Sequence, residues 1–147
     1  MEVRFYESVA DELLEFAVIV ARAEGKWVFC KHRERDTYEV PGGHREEGET
    51  IFEAACRELY EETGALEYDI EPVAVYSVLD GPKGKSETFG MLFFAEITAF
   101  EEELHSEIER IILTGEPVDT WTYPLIQPLL MKRVELWLRG SENRFTL

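Results

Sequence analysis

The spacing of apolar and polar residues along the chain predicts a series of short β-strands. Runs rich in valine, isoleucine and aromatic residues, bounded by glycine, proline or charged residues, are typical of strands. The first two runs flank a turn at 24–26 and the last two are joined by 81–87, so each pair predicts a hairpin. Residues 41–43, Pro-Gly-Gly, predict a sharp turn after the third run. The predicted strands are 14–23, 27–32, 38–40, 70–80 and 88–98.

A helix is predicted over residues 50–63, where apolar residues recur every three or four positions. Thr50 and Glu53 have the spacing of a capping box, in which each side chain bonds the backbone N–H of the other. Gly64 is a fitting C-terminal stop, because glycine readily adopts the left-handed conformation that ends many helices. The side predicted to face the core carries Phe52, Ala55, Cys56, Leu59 and Thr63.

A second amphipathic helix is predicted from about residue 123 to residue 139, closed by Gly140. Pro128 means that this helix either begins near that residue or is kinked there. Between the last predicted strand and this helix, 101–109 is expected to be an acidic loop or short helix, followed by a short apolar run at 111–113. The order strands, helix, strands, helix predicts a mixed sheet with helices packed on its faces.

The composition predicts one globular domain over residues 1–147. The hydrophobic share is 45% and the aromatic share is 12%, values that are sufficient for an ordinary core. The net charge is −16, from 31 acidic and 15 basic residues. Such a charge repels phosphate backbones and anionic lipids, so we expect neither long nucleic acids nor membrane surfaces as partners.

Nothing in the sequence predicts export or insertion into a membrane. The N-terminus has no basic segment followed by an apolar run, and the longest apolar runs, 16–21 and 91–95, are too short to cross a bilayer. Cys30 and Cys56 lie among apolar neighbours and form no disulfide framework, so buried free thiols are expected. The predicted location is therefore cytoplasmic.

Three glutamates of the first predicted helix share one part of its surface. Residues three and four apart are neighbours on a helix, so Glu58, Glu61 and Glu62 lie together beside the apolar side. Mutual repulsion and partial desolvation would destabilise these carboxylates, and only Arg57 adds a positive charge nearby. A hard divalent cation such as Mg²⁺ or Mn²⁺ would relieve the repulsion, since both take oxygen ligands. The alternative, a chance cluster in a glutamate-rich chain, suits any single pair but not the longer spacing.

That longer spacing resembles the signature of the Nudix hydrolases. The signature is a glycine, five residues, Glu, seven residues, Arg-Glu, an aliphatic residue, any residue, Glu-Glu, any residue, Gly and an aliphatic residue. The chain departs only at the last position, where Ala65 stands at a packing position in place of a larger aliphatic residue. The matching residues are Gly43, Glu49, Arg57, Glu58, Leu59, Glu61, Glu62 and Gly64.

The resemblance implies a fold, a reaction and a set of metal ligands. The implied fold is of the α/β (α+β) class, an α/β/α sandwich with a mixed β-sheet. The implied reaction is Mg²⁺-dependent hydrolysis of a nucleoside diphosphate linked to another group, by attack of water at phosphorus, with Mn²⁺ as a substitute ion. The implied ligands are the carbonyl of Gly42 and the carboxylates of Glu61 and Glu62, with Glu58 either a ligand or the proton acceptor.

Two further residues of the signature receive supporting roles by the same resemblance. Arg57 would orient the carboxylates through its rigid fork of donors, and Glu49 would either support the loop or bind an outer ion. Glu58, Arg57 and Glu61 are thus the candidate catalytic residues.

Residues outside the signature are candidates for completing the site. Relatives often add an acidic metal ligand from a later loop. Glu107 is the first candidate here, followed by Glu103 and Glu109; a solvated acidic turn is the alternative. Arg33 and Arg35 follow the first hairpin and are candidates for holding distal phosphates. His44, beside the glycine turn, is a candidate for contacting substrate. An ordinary exposed side chain is the competing interpretation for each of the three.

The leading functional hypothesis is a (d)NTP pyrophosphohydrolase of the MutT/8-oxo-dGTPase type, because the signature is intact on a compact chain. Hydrolysis of ADP-ribose or another nucleotide sugar is the alternative within the enzyme class, supported only by Pro82 downstream of the signature. A non-catalytic nucleotide-sensing module is the alternative from another class, but such proteins typically lose a signature carboxylate. The expected partner is a small nucleoside polyphosphate, and a homodimer is left open.

Overall fold

A computed structural model describes residues 1–80, 86–104 and 107–145. Pro82 and most of the turn predicted at 81–87 lie outside the described residues. A 3₁₀ turn at Asp11–Leu13 precedes the second strand. The strands and helices are β1 (Glu2–Tyr6), β2 (Leu14–Ala23), β3 (Lys26–His32), β4 (Gly42–His44), α1 (Ile51–Thr63), β5 (Ala65–Asp80), β6 (Ser86–Phe100), β7 (Ile108–Thr114) and α2 (Gln127–Phe145).

The described strands form one mixed sheet in the order β1-β5-β6-β2-β3-β7, with β4 also paired to β2. β2 and β6 are parallel, whereas the remaining pairs of named strands are antiparallel. β3 and β4 share the same edge of β2: Val28 of β3 lies opposite Ala21, and His44 of β4 lies opposite Phe16. β3 and β4 therefore pair with different parts of β2 and leave a gap between them, and the chain that connects β3 to β4 lies beside this gap.

The two helices cover opposite faces of the sheet. On one face, Leu59 and the neighbouring small residues of α1 join a buried cluster with Ile19 and Phe93 of the sheet. On the other face, Leu130 and Val134 of α2 pack with Phe29 of β3. The predicted α/β/α sandwich with a mixed sheet is thus confirmed.

The strand predictions are correct for the two hairpins and wrong in three other places. β2 with β3 and β5 with β6 form antiparallel pairs as predicted. The predicted strand 38–40 makes only isolated bridges, whereas 42–44, predicted as a sharp turn, form β4 against β2. The described part of the predicted loop at 101–107 is a loop, but β7 begins at Ile108 and so includes the last two residues of that prediction together with the apolar run at 111–113, because the edge of β3 offers free backbone partners. The sequence pattern also did not identify β1, which pairs with β5.

The second helix begins later and ends later than its pattern predicts. α2 starts at Gln127, so Pro128 lies in its first turn, where the missing N–H has no intrahelical partner to lose. Of the two options for Pro128, a start near that residue is therefore correct. The helix continues past Gly140 to Phe145. An interior glycine costs a helix only about 1 kcal/mol, so it does not by itself end one.

Candidate active site

A glycine turn and helix α1 meet beside the gap between β3 and β4. Gly42 lies opposite Val18 and Gly43 opposite Ala17 in the pairing of β4 with β2. A Cβ atom on Gly42 would lie 2.6 Å from the Ala17 carbonyl oxygen, and one on Gly43 would lie 2.4 Å from Oε1 of Glu58. The two glycines therefore allow α1 to place a carboxylate directly against the turn.

Local signals in the sequence position α1. The Glu53 N–H donates to Thr50 Oγ1 at 3.0 Å and the Thr50 N–H donates to Glu53 Oε1 at 2.9 Å, so the predicted capping box is present. Gly64 ends the helix with φ of 76°. Phe52, predicted to face the core, is 48% exposed, because the sheet covers a neighbouring part of the helix surface. The buried apolar residues are Ile51, Ala54, Ala55 and Leu59.

The three clustered glutamates of α1 differ in burial. The side chain of Glu62 is 11% exposed and that of Glu58 is 13% exposed, whereas that of Glu61 is 46% exposed. Oε1 of Glu62 accepts a hydrogen bond from the Gly42 N–H at 2.8 Å. Burial raises the pKa of Glu62 to about 8, helped by the neighbouring carboxylates and opposed by the Gly42 N–H. Burial also raises the pKa of Glu58.

Arg57 connects these carboxylates to the loop before the helix. Its Nε and Nη2 donate to the two oxygens of Glu49 at 2.7 and 2.9 Å, a bidentate pair. Its Nη1 donates to Glu58 at 2.8 Å and to Glu61 at 3.3 Å, and its Nη2 also reaches the His44 carbonyl at 3.0 Å. The hydrogen bonds from Arg57 lower the pKa of Glu49 to about 2. The guanidinium therefore contacts Glu58 and Glu61, whereas no hydrogen bond or ion pair from it to Glu62 is found among the described residues.

The donor set fits a hard divalent cation. Glu58 and Glu62 are largely buried carboxylates whose pKa values are raised, so ionising both without a compensating cation is unfavourable. Gly43 leaves room for the Glu58 carboxylate, because a Cβ atom at that position would occupy its place. Proteins usually bind Mg²⁺ through one or two carboxylates, and water and substrate phosphates complete its coordination. Glu58, Glu62 and Glu61 can supply those carboxylates.

A cleft of about 420 Å³ lies beside the glycine turn. The His44 ring packs edge-on against the Phe16 ring with 4.5 Å between the ring centroids, so β2 and β4 together form one wall of the cleft. Gly42 and Gly43 border the cleft, which places it next to the carboxylates of α1. Its apolar and aromatic lining includes Phe16, Val18, Val40, Tyr76, Tyr123 and Leu130.

Glu107 lies near the carboxylates but does not contact them directly. Its side chain is 89% exposed, and its Oε2 lies 3.7 Å from Nδ1 of His32. On the other side of the same ring, Nε2 of His32 lies 3.5 Å from Oε2 of Glu62. The histidine therefore stands between Glu107 and the buried glutamate of α1. Glu107 thus stays a candidate, separated from Glu62 by one side chain.

The basic candidates lie at the border of the site. Arg33 is exposed, and its backbone N–H donates to the Glu107 carbonyl at 3.1 Å. The Arg35 guanidinium lies over the Tyr123 ring, 6.0 Å from its centroid, beside the cleft. His44 is exposed and lines the cleft. The positions of Arg35 and His44 are compatible with contacts to a substrate in the cleft, whereas Arg33 lies on the Glu107 side.

Comparison with known proteins identifies the family. The model of the NUDIX domain matches residues 12–135, which include the glycine turn, α1 and most of the sheet. The chain belongs to the Nudix family. The resemblance seen in the sequence is therefore confirmed, and the signature residues extend from Gly43 in β4 through the following loop and α1 to Gly64 at its end.

Curated Nudix relatives match over part of their length. A Bacillus subtilis (strain 168) protein provisionally named 8-oxo-dGTP diphosphatase YtkD is 37% identical over 86 residues, 58% of this chain and 51% of that protein. An RNA pyrophosphohydrolase of Bartonella quintana (strain Toulouse) is 46% identical over 56 residues, 32% of each chain. The matched regions span about half of the first relative and about a third of the second.

Solved structures agree with the Nudix fold. The crystal structure of a mutant of the Bacillus subtilis pyrophosphohydrolase BsRppH has a TM-score of 0.74 and 24% identity, covering 90% of this chain and 89% of that one. A UDP-X diphosphatase has a TM-score of 0.73 and 17% identity, covering 91% of this chain and 66% of that one. At these identities the likeness concerns the fold alone. Among the described helices, neither is long and apolar enough to span a membrane.

Two residues beside the Nudix carboxylates escaped the sequence prediction. His32 ends β3, and Glu39 lies on the segment that leads to the glycine turn. Their side chains meet at 2.6 Å, between His32 Nε2 and Glu39 Oε1, next to Glu62. The available signal was the polar Glu39 between Tyr38 and Val40 in an otherwise apolar segment, since a polar residue there needs a buried partner.

Proposed function

We propose that the chain is a Mg²⁺-dependent Nudix hydrolase that cleaves a diphosphate linkage of a small nucleotide. The observation that carries this proposal is the set of carboxylates that α1 places against the glycine turn, beside a cleft with aromatic walls. Arg57 orients Glu58 and Glu61 in the same set. A polyanionic substrate could approach this acidic surface only with cations to offset the charge.

Each group has a defined part in the proposed reaction. Glu58, Glu61 and Glu62, with the Gly42 carbonyl, would hold Mg²⁺, which when bound polarises phosphoryl oxygens and favours ionisation of water. The raised pKa of Glu58 suits a group that accepts a proton from the attacking water, so it is a candidate for either role. Arg57 keeps the carboxylates oriented through its contacts with Glu49 and the loop.

Within this class we propose a (d)NTP pyrophosphohydrolase of the 8-oxo-dGTPase type. The support is the name of the Bacillus subtilis relative and the cleft of about 420 Å³, which suits a nucleoside next to the carboxylates. The relative named RNA pyrophosphohydrolase favours a second candidate, hydrolysis of a diphosphate linkage carried by an RNA. The net charge of −16 disfavours this second substrate, because a long RNA backbone would be repelled.

A substrate panel tests the proposal. The protein would be incubated with Mg²⁺ and separately with dGTP, 8-oxo-dGTP, the other nucleoside triphosphates, ADP-ribose, a dinucleoside polyphosphate, capped RNA and a 5′-triphosphate RNA. The products would be separated and identified by anion-exchange chromatography. We expect a nucleoside monophosphate and pyrophosphate from a nucleoside triphosphate. Hydrolysis of ADP-ribose or RNA alone would replace the proposed substrate, and nucleotide binding without hydrolysis would identify a sensing module.

A matched pair of variants tests the assignment of the site. Glu61→Gln removes one proposed ligand, whereas Glu67→Gln changes an exposed glutamate of β5 by the same atoms. We expect Glu61→Gln to lower kcat at least about a hundredfold, roughly 2.7 kcal/mol of transition-state stabilisation, and Glu67→Gln to leave it unchanged. Full activity and full Mg²⁺ affinity in Glu61→Gln would contradict the assignment.

A further inference from the structure

His32 has carboxylates next to both of its ring nitrogens. Nε2 lies 2.6 Å from Oε1 of Glu39 and 3.5 Å from Oε2 of Glu62, and Nδ1 lies 3.7 Å from Oε2 of Glu107. A neutral imidazole has one N–H, so only one of its nitrogens can donate and the other is an acceptor. Three carboxylates therefore face one ring, and even a ring protonated at both nitrogens has fewer N–H donors than there are carboxylates around it.

Glu39 supplies an independent indication that the donors around this buried carboxylate do not satisfy it. The residue is 6% exposed, and its Oε2 has no hydrogen-bond partner among the described residues. Arg35 Nη1 lies 3.5 Å from this oxygen without the geometry of a hydrogen bond. Leaving a buried carboxylate oxygen without a donor is unfavourable, and carboxylates of this kind are usually paired or bound to a metal.

The three side chains can converge on one ion. His32, Glu39 and Glu62 each offer one ligand atom, and these atoms lie within 4.8 Å of one another. We propose that they bind a second divalent ion, of the transition-metal class, at the inner end of the site. An imidazole nitrogen in the ligand set favours ions such as Mn²⁺ or Co²⁺ over Mg²⁺, which prefers oxygen ligands alone.

This inner site shares Glu62 with the proposed Mg²⁺ site. Oε1 of Glu62 accepts from the Gly42 N–H, on the side of the glycine turn, and Oε2 lies toward His32. The carboxylate therefore presents one oxygen to each region. The inner site rests on Glu62 but not on Glu58, which lies against Gly43.

Binding at Nε2 leaves Nδ1 as the N–H nitrogen of the His32 ring. With the ion at Nε2, the ring carries its single N–H on Nδ1, the side on which Glu107 Oε2 lies 3.7 Å away. A carboxylate that accepts from the second nitrogen of a metal-bound histidine fixes the tautomer and the ring orientation. Glu107, whose Oε2 is beyond hydrogen-bond distance at 3.7 Å, would take this positioning role by closing that distance when the ion binds.

Electron paramagnetic resonance of the Mn²⁺-loaded chain tests the inner site without measuring activity. Mn²⁺ would be titrated into the full chain, without nucleotide and without a histidine tag, and electron spin echo modulation would be recorded at the bound ion. We expect modulation from a directly coordinated imidazole nitrogen. In His32→Gln that modulation should disappear, and the Mn²⁺ affinity of this site should fall at least about tenfold.

The chain offers matched controls, because it contains three histidines. His44→Gln and His105→Gln should keep the nitrogen modulation. The inner site would be overturned if the nitrogen modulation were absent from the wild-type spectrum, if it persisted in His32→Gln, or if it were lost in either control. Glu58→Gln separates the two proposals: it should lower hydrolysis strongly and leave the nitrogen modulation in place. A wild-type chain that shows the modulation but hydrolyses nothing would overturn the proposed function and leave the inner site standing.

Discussion

Replacing Glu62 by glutamine should stabilise the metal-free protein, and the gain should grow with pH. Burial raises the pKa of Glu62 from 4.5 to about 8. Between these values the carboxyl is protonated in the folded state and ionised in the unfolded state. The contribution of Glu62 to stability is therefore most favourable below pH 4.5 and is lost as the pH rises toward 8. Glutamine cannot ionise, and its side-chain oxygen can still accept the hydrogen bond from the Gly42 N–H.

The size of the effect follows from the pKa of Glu62. One pKa unit corresponds to about 1.4 kcal/mol, so the difference between pKa values of 4.5 and about 8 lowers the free energy of unfolding by roughly 5 kcal/mol once the pH is above both values. The linkage relation gives about 4 kcal/mol at pH 8 and less than about 1 kcal/mol at pH 5. Water entry and side-chain relaxation reduce the cost of a buried charge, so we expect a gain of at least about 2 kcal/mol at pH 8.

Urea unfolding in the presence of EDTA, at pH 5 and at pH 8, measures this difference. Glu62→Gln would be compared with the wild type and with Glu67→Gln, an exposed substitution that should follow the wild type at both values. Added Mg²⁺ should stabilise the wild type at pH 8 and stabilise Glu62→Gln less, because the ion compensates the ionised carboxylate. Equal pH dependence of the free energy of unfolding in the wild type and Glu62→Gln would refute the reasoning.

Three further predictions concern the glycine turn and Arg57. Gly43→Ala places a Cβ atom 2.4 Å from Glu58 Oε1, so the Mg²⁺ affinity measured by calorimetry should fall at least about tenfold. Gly115→Ala is the control: its Cβ atom meets nothing within 4 Å, so the affinity should not change. Arg57→Lys loses the bidentate pair with Glu49, so kcat should fall about tenfold or more, and activity within twofold of wild type would contradict this. The pairing with Arg57 lowers the pKa of Glu49 to about 2. The pair should therefore contribute fully to stability above pH 4.5, and this contribution should be lost as the pH falls through 2. An NMR titration of the Glu49 carboxyl with a midpoint near 4.5 would contradict the pairing.

Much of the local structure around the site follows from short-range rules. Thr50, Glu53 and Gly64 define α1, since capping and the left-handed stop depend on residues within a few positions of each other. The helical repeat places Glu58 and Glu62 on neighbouring parts of one surface. The Nudix signature, which depends on the same spacing, could therefore be identified without the fold.

The differences in burial among the three carboxylates could not be predicted from these local rules. Helical spacing treats Glu58, Glu61 and Glu62 alike, but the sheet and glycine turn bury two of them and leave Glu61 half exposed. Burial depends on which part of α1 the sheet covers, as the exposed Phe52 also indicates. The raised pKa of Glu62 is a consequence of this tertiary contact.

The sequence by itself determined the family, the alternation of strands and helices, and the carboxylates of α1, because each depends on spacing within one segment. Only the tertiary structure brought His32 and Glu39 against Glu62. These three residues come from the end of β3, the chain before β4 and the end of α1, and their meeting depends on the pairing of β3 and β4 with the same edge of β2. Contacts between distant segments follow from strand register, and local patterns along the chain do not encode which strands become neighbours.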